Sequence, residues 1–346
     1  MPYQTKALST ALSVSLGGLL LTLSLSLSAA PSNHAESILE RLENANAHRD
    51  HVMVAAHRGL WNKDGQTIYP EASISSVRKA IDLGIEIVEQ DIRKSKDGIF
   101  IVLHDEELDR TTTCNGLAKE KTLQELKQCK LKIVNQGKET ITDERIPTLE
   151  ELYTEIKGHI LLNLDNKIGY EEFPAMFDLA KKHGVERQIL ASVNQNTPEQ
   201  VESAAKLNQA LSQYNVFLMP NLYDDKVDLA FYEQILQDYK PKLVQLRNAH
   251  KKDQPLTQDG GIFFSAKSLQ LAGEYNTHYW LNTLYEAKTP GMRSGGRGDE
   301  MAYYAQLPSE VYGFWVKKGV TIFQTDEPEN LLEWLNTNGY RKPYSK

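Results

Sequence analysis

From residue 52 onward, nine short apolar runs alternate with amphipathic helical segments. The runs are 52–57, 85–91, 99–104, 159–165, 188–193, 216–220, 243–247, 278–283 and 320–326. Several are continuously apolar, as strands covered on both faces must be. Helical patterns occupy 75–83, 171–183, 198–208, 229–239, 265–275 and 301–318, and a polar helical stretch at 36–48 precedes them all. Strand alternating with helix over this length means parallel βαβ units. Nine runs are one more than a closed βα barrel needs. The excess resolves at residues 92–98, a gap of seven that is too short for a parallel crossover of about a dozen residues. Lys96-Asp97-Gly98 reads as a tight turn there, so 99–104 returns as a hairpin arm. Eight strands remain. The expected fold is α/β, a single-domain (β/α)8 TIM barrel over 36–340, with a small hairpin and a loop excursion (108–147) after strand 2.

Residues 1–30 stand outside this pattern. They carry one charge, Lys6, then an uncharged Leu- and Ser-rich run ending in Ser28-Ala29-Ala30. A positive start, an apolar middle and a small-residue end describe a secretory signal peptide. The run is long enough to span a bilayer, but its serines and threonines dilute the hydrophobicity and favour cleavage over an uncleaved anchor. The mature protein is therefore expected to be secreted or periplasmic, without stable membrane insertion. In an oxidising compartment Cys114 and Cys129 become a disulfide candidate closing a short loop. The alternative is two free thiols.

Composition narrows the function classes. The chain has 46 acidic residues against 39 Lys+Arg, a net charge of −7, which argues against a nucleic-acid partner. With 40% hydrophobic and 8% aromatic residues it has the material for a core, which excludes a disordered chain. Two cysteines are too few for a four-thiolate zinc site.

Titratable residues recur at the strand ends. His57 and Arg58 close the first strand. Glu89 and Asp91 close the second, two residues apart and so on one face. His104 and Asp105 end the hairpin arm, and Asp165 and Lys167 close the next strand. In a βα barrel the C-terminal strand ends surround the active site. Singly, each has a plainer reading as a structural histidine, a solvated carboxylate or a surface lysine. Jointly they gather three carboxylates at one mouth, which is costly unless a cation neutralises them. All-oxygen ligation favours one hard divalent cation, Ca²⁺ or Mg²⁺, over zinc.

The motifs that carry these residues resemble the glycerophosphodiester phosphodiesterase family. They are Val54-Ala-Ala-His57-Arg58-Gly59, Pro70-Glu71-Ala72-Ser73, Val88-Glu89-Gln90-Asp91, Lys96-Asp97-Gly98, Leu103-His104-Asp105 and the following Leu108-Asp-Arg110-Thr-Thr. Ile146-Pro147-Thr148-Leu149, Asp165-Asn166-Lys167, Trp280-Leu-Asn282-Thr283 and Gln324-Thr325-Asp326-Glu327-Pro328 also fit, so the likeness runs from about 52 to 335. It implies a βα-barrel hydrolase that cleaves glycerophosphodiesters to an alcohol and sn-glycerol 3-phosphate. By the same resemblance Glu89, Asp91 and Asp165 hold the metal, and His57 and His104 are the acid–base pair. Arg58 and Lys167 contact the phosphate. We assign His57 as base and His104 as acid. Trp280 is expected to bind substrate by stacking on the glycerol or head group, the alternative being a core position.

Three departures stand out. Asp165 occupies a position where the family usually has Glu. Ala72 replaces the usual Asn. The excursion after His104 is modest. Asp in the third metal position also occurs in the related sphingomyelinase D-like enzymes, which makes lysophospholipids or sphingolipids the alternative substrates. A catalytically silent phosphoester-binding barrel is the alternative outside enzymes. Residues 286–300, with Gly291, Gly295, Gly296, Gly298, Arg293 and Arg297, read as a mobile basic lid or else as a disordered surface loop.

Overall fold

Eight parallel strands close on themselves in the computed structural model. They are β1 (Met53–Ala56), β2 (Ile87–Lys94), β3 (Leu161–Asn166), β4 (Ile189–Asn194), β5 (Phe217–Tyr223), β6 (Leu243–Arg247), β7 (His278–Asn282) and β8 (Val320–Thr325). Each pairs with the next, β8 pairs with β1, and β2 returns to β1 through Ala55↔Ile87 and Ala56↔Val88. The short arm Phe100–Val102 runs antiparallel to β2, with Ile92 opposite Val102 and Lys94 opposite Phe100. The short connection after β2 thus makes a hairpin, and the closed (β/α)8 barrel follows. The structure describes Met1 and residues 33–344, apart from 136, 252 and 287–290; the expected leader lies outside the described residues except for Met1. Residues Asn33–Lys346 form one compact unit. Among the described residues no helix is long and apolar enough to cross a membrane.

The barrel interior changes character within two residues along β2 to β8, because alternate side chains face inward, whereas on β1 Met53 is followed two residues on by the equally apolar Ala55. The lower layer is apolar: Met53, Ile87, Leu161, Leu190, Met219, Leu243, Trp280 and Ile322 are all fully buried in one cluster. One inward step higher come Glu89, Asn163, Ser192, Asn221, Gln245, Asn282 and Gln324, all lining a cavity. Helix His34–Glu43 closes the bottom with Ala35, Ile38, Leu39 and Leu42. Their i, i+3, i+4, i+7 spacing makes an apolar stripe inside a segment that reads as polar by composition. A larger core lies between the strands and the outer helices.

The excursion after the hairpin has its own small core of Ile101, Leu103, Leu108, Ala118, Leu126, Cys129, Leu131 and Ile146. It contains a short helix, Leu123–Leu126, opened by a Thr122–Glu125 capping box, and an antiparallel ribbon of Lys130–Asn135 with Lys138–Arg145. Cys114 and Cys129 are bridged, with Cα atoms 5.4 Å apart.

Candidate active site

Strand register builds the acidic centre. Asp91 on β2 lies opposite Asp165 on β3, and Glu89 opposite Asn163. Glu89, Asp91 and Asp165 each present an oxygen within 4.8 Å of the others. Lys167 Nζ donates to Asp165 Oδ2 at 2.7 Å and lies 3.0 Å from Asp91 Oδ1. The backbone N–H of Arg58 donates to Glu89 Oε2 at 3.0 Å. Burial, reinforced by Asp91 and Asp165, pushes the Glu89 carboxyl well above its usual range. Asp91 Oδ2 and Asn163 Oδ1 are buried without a hydrogen-bond donor. A crowded set of oxygens, some of them unsatisfied, fits a hard divalent cation held by Glu89, Asp91 and Asp165.

Two histidines face the same cavity, and each has its Nδ1 held by a carboxylate. His57 Nδ1 donates to Asp326 Oδ1 at 2.6 Å, and His104 Nδ1 donates to Asp105 Oδ1 at 2.6 Å. This fixes the tautomer and leaves each Nε2 for chemistry. His57 Nε2 lies 3.9 Å from Glu89 Oε2. Asp326 is itself fixed: its Oδ2 accepts from Tyr285 N at 2.8 Å and its N–H donates to buried Asp299 at 2.8 Å. Asp105 also accepts from Arg110 Nε at 2.6 Å, and His104 together with Arg110 holds its carboxyl below the usual range against the effect of burial.

Arg58 turns out of β1 at a positive φ of 53°, followed by Gly59 at φ 81°. A side chain on residue 59 would collide with Ser76, so only glycine fits this turn. Arg58 Nη1 donates to Glu71 Oε1 at 3.0 Å, and Nε lies 3.6 Å from Asp91 Oδ2. Glu71 is clamped from the other side by Arg110, whose two terminal nitrogens each donate at 2.7 Å. The excursion thereby reaches into the wall of the site.

The cavity at the barrel mouth is about 540 Å³ and is lined by His57, Arg58, Glu89, Asp91, His104, Asp165 and Lys167. Every one of these is a residue singled out from the sequence. Tyr170, Ser192, Asn194, Asn221, Tyr223, Gln245, Arg247, Asn282, Tyr285, Glu286, Arg293 and Gln324 extend it across the mouth, and among the described residues Leu284 is the one aliphatic side chain in its wall.

Trp280 does not reach this cavity. It sits in the apolar lower layer, fully buried, and its Nε1 donates to Asn282 Oδ1 at 2.8 Å. The period of two that brings Asn282 to the mouth puts Trp280 one layer below it, so it supports the floor and cannot stack on a ligand. The lid reading also divides. Arg297 is buried, donates to Thr257 O and Glu310 O, and packs over the Phe314 ring at 4.1 Å. It is a fixed strut. Arg293 does line the cavity. Residues 287–290 lie outside the described residues.

Sequence reasoning gave no role to Asp326, Asp105, Glu71, Arg110 or Arg247. The first four stand inside the quoted motifs, but their pairings span separations such as 269 residues for His57 and Asp326. Arg247 ends an apolar run with no motif around it.

A model described as the Glycerophosphoryl diester phosphodiesterase family matches residues 57–202, and one described as a domain of unknown function matches 224–335. The chain is 34% identical over 160 residues to a glycerophosphodiester phosphodiesterase of Caldanaerobacter subterraneus subsp. tengcongensis, covering 44% of this chain and 63% of that one. It is 32% identical over 142 residues to glycerophosphodiester phosphodiesterase 1 of Mus musculus, covering 38% and 41% respectively. It thus spans less than two thirds of these relatives. Its fold resembles a Parabacteroides distasonis glycerophosphoryl diester phosphodiesterase (TM-score 0.61, 20% identity, 90% of this chain and 94% of that one). It also resembles an Oleispira antarctica phosphodiesterase in complex with the product sn-glycerol-3-phosphate (TM-score 0.53, 21% identity, 82% and 96%). The part of the chain that matches the model of the glycerophosphoryl diester phosphodiesterase family, residues 57–202, is the part that holds His57, His104 and all three carboxylates.

Proposed function

We propose that this protein is an exported, divalent-metal-dependent phosphodiesterase that hydrolyses glycerophosphodiesters to an alcohol and sn-glycerol 3-phosphate. One observation carries the reading: two imidazoles, each tethered through Nδ1 to a carboxylate, face one cavity that also contains the three-carboxylate cluster. The Oleispira antarctica neighbour, which holds the same product, adds support.

His57 Nε2 takes the proton of the attacking water or hydroxyl while Asp326 holds Nδ1–H. His104 gives its Nε2 proton to the departing alkoxide as the P–O bond breaks. Asp105, kept ionised by His104 and Arg110, holds Nδ1 of His104 and so aims Nε2 at the departing oxygen. Arg58 and Lys167 balance charge on the phosphoryl oxygens. A bound Ca²⁺ or Mg²⁺ supplies Lewis-acid polarisation of those oxygens. Among the described residues four carboxylates (Glu89, Asp91, Asp165, Glu286) and four permanent cations (Arg58, Lys167, Arg247, Arg293) line the cavity, so one divalent ion would turn that set electropositive.

The polar wall, with Leu284 alone as an aliphatic member among the described residues, supports a small water-soluble diester over one carrying an acyl chain. Release of glycerol 3-phosphate from glycerophosphocholine, with EDTA and after re-addition of Ca²⁺ or Mg²⁺, tests the reading. Absence of product with either metal would return the chain to a phosphoester-binding role. Activity confined to lysophosphatidylcholine or sphingomyelin would select the lipid reading. Export rests on the sequence of residues 1–30 and is tested by N-terminal sequencing of the protein from the extracytoplasmic fraction.

A further inference from the structure

Arg247 is the least compensated charge in the cavity. It stands at the end of β6, four strands from β2 in an eight-strand barrel and so across the mouth from Glu89 and Asp91. It is 7% exposed. Its Nε donates to Asn221 Oδ1 at 2.9 Å and its Nη2 to Gln245 Oε1 at 3.0 Å. Both partners are neutral amides, and the Tyr223 ring lies 5.1 Å from the guanidinium. Among the described residues Nη1 has no hydrogen-bond partner.

Each of the other two arginines described in the cavity wall has an acid. Arg58 pairs with Glu71, and Arg293 lies 3.6 Å from Glu286. No described carboxylate lies within 4 Å of the Arg247 guanidinium. Burial, with Arg293 adding repulsion, lowers its pKa to about 10. The neighbourhood worsens the imbalance by design. The segment carrying Arg293 is pinned beside β6, with Asn248 N donating to Arg293 O at 3.1 Å and His250 N to Met292 O at 2.8 Å. Glu286 pairs with Arg293, so Arg247 is left with only the longer-range attraction of Asp165 and Glu286. A buried cation without a counter-ion is strongly unfavourable, and neutral amides do not replace one. The missing counter-ion is then supplied by what binds in the cavity.

We propose that Arg247, with Arg293, forms a second anion subsite, and that the preferred substrates are glycerophosphodiesters whose alcohol carries its own anionic group, a carboxylate or a phosphate. The proposal rests on the phosphodiesterase reading above and specifies its substrate class. The phosphodiester engages Arg58 and Lys167 beside His57, while the head-group anion crosses the mouth to Arg247. A planar guanidinium fixed by Asn221 and Gln245 is already oriented for this, so little side-chain entropy is lost on binding. Arg247 is thus a specificity-determining residue that acts on the remote end of the substrate and not on the reacting atoms.

Two matched pairs isolate the charge. Glycerophosphoserine differs from glycerophosphoethanolamine by one carboxylate. Glycerophosphoinositol 4-phosphate differs from glycerophosphoinositol by one phosphate. The wild-type enzyme is expected to favour the anionic member of at least one pair by about 10- to 100-fold in kcat/KM, the range of a charge-assisted contact. Which pair responds tells carboxylate from phosphate. In Arg247→Gln that ratio is expected to fall about 10-fold or more, through KM, and in Arg293→Gln by a smaller factor. A wild-type ratio near one in both pairs overturns the proposal without any variant, as does a ratio that Arg247→Gln leaves intact. If none of the four diesters is cleaved, the phosphodiesterase reading itself falls. If all four are cleaved equally, that reading stands and only the anion subsite is lost.

Discussion

His57 and Asp326, 269 residues apart in sequence, meet at 2.6 Å where the end of β1 faces the end of β8. Closure of the barrel creates this pair, since β1 and β8 are neighbours only because the sheet joins itself through Ala56↔Thr325 and its preceding partners. Asp326 is held in turn by Tyr285 N and by Asp299, which also accepts from Thr325 Oγ1 and Tyr312 OH. The imidazole therefore has one orientation and one tautomer before substrate arrives.

Replacing Asp326 by Asn or Ala should cost activity without removing any group that touches substrate. Either change lets the His57 ring choose the wrong tautomer or rotate. We expect kcat to fall roughly 10²-fold or more, with KM changed little, as for other histidines deprived of their orienting carboxylate. His57→Ala and His104→Ala should each cost on the order of 10²–10⁴-fold. An Asp326→Ala variant with near-normal kcat would mean that packing alone positions His57.

Cation binding has a readout independent of turnover. Without a cation, Glu89, Asp91 and Asp165 repel one another at close range, and the cost falls on the folded state. Glu89→Gln should therefore stabilise the metal-free protein, by roughly 1 kcal/mol or ~2 °C in Tm. Added Ca²⁺ or Mg²⁺ should raise the Tm of the wild type and leave Glu89→Gln largely unmoved. Equal metal-induced shifts in both proteins would place the ion elsewhere.

Acid sensitivity should come from the bottom of the barrel before it comes from the site. His278 is fully buried, donates from Nε2 to Arg41 O at 3.0 Å and accepts from Thr321 Oγ1 at 2.8 Å. Burial lowers its pKa from 6.5 to about 3. The folded state refuses a proton that the unfolded chain takes up, so the stabilisation is complete above 6.5 and is lost progressively as pH falls toward 3. The slope is about 1.4 kcal/mol per pH unit for one such group. His51, lowered by burial despite Glu86, adds to it in the same direction. Urea midpoints between pH 7.5 and 5 avoid most carboxylate titration and should drop with acid. His278→Gln should reduce that slope by about one proton, and an unchanged slope would assign the acid limb to other groups.

The fold was legible because its signals are local. The gap of seven residues between two apolar runs distinguished a hairpin from a crossover, and the arm Phe100–Val102 lies where that argument puts it. Glu89, Asp91, Asp165 and Lys167 were legible for a related reason: a period of two at a strand end fixes which face a carboxylate shares with its neighbour. Trp280 shows the limit of that logic. The strand pattern gives the inward face but not the height of the layer, and its ring belongs to the apolar floor. Asp326 and Arg247 were illegible for opposite reasons. The first has a partner visible only after closure. The second is informative through the partner it lacks, and no one-dimensional pattern records a missing contact. The helix His34–Glu43 reads as polar because its apolar stripe is only four of its ten residues.

The excursion offers a final test of how a distant segment supports the site. Its bridge joins Cys114 and Cys129 across 15 residues of sequence, around a small core that includes Leu108, Leu126 and Leu131. Arg110 lies just outside that loop and donates both to Glu71, which holds Arg58, and to Asp105, which holds His104. A loop of this length gains about 3 kcal/mol from its cross-link in the chain-entropy account. Losing it should loosen the excursion locally and leave the barrel folded, since the two cores are separate. Cys114→Ser/Cys129→Ser, or mild reduction of the wild type, should therefore accelerate hydrogen exchange across 108–147 and lower kcat/KM several-fold, with little change in the barrel's unfolding midpoint. Arg110→Ala should mimic the kinetic loss with the bridge intact. If reduction unfolds the whole chain in one step, the excursion is an integral part of the barrel's cooperative unit. If it leaves kinetics untouched, the Arg110 contacts do not depend on the bridge.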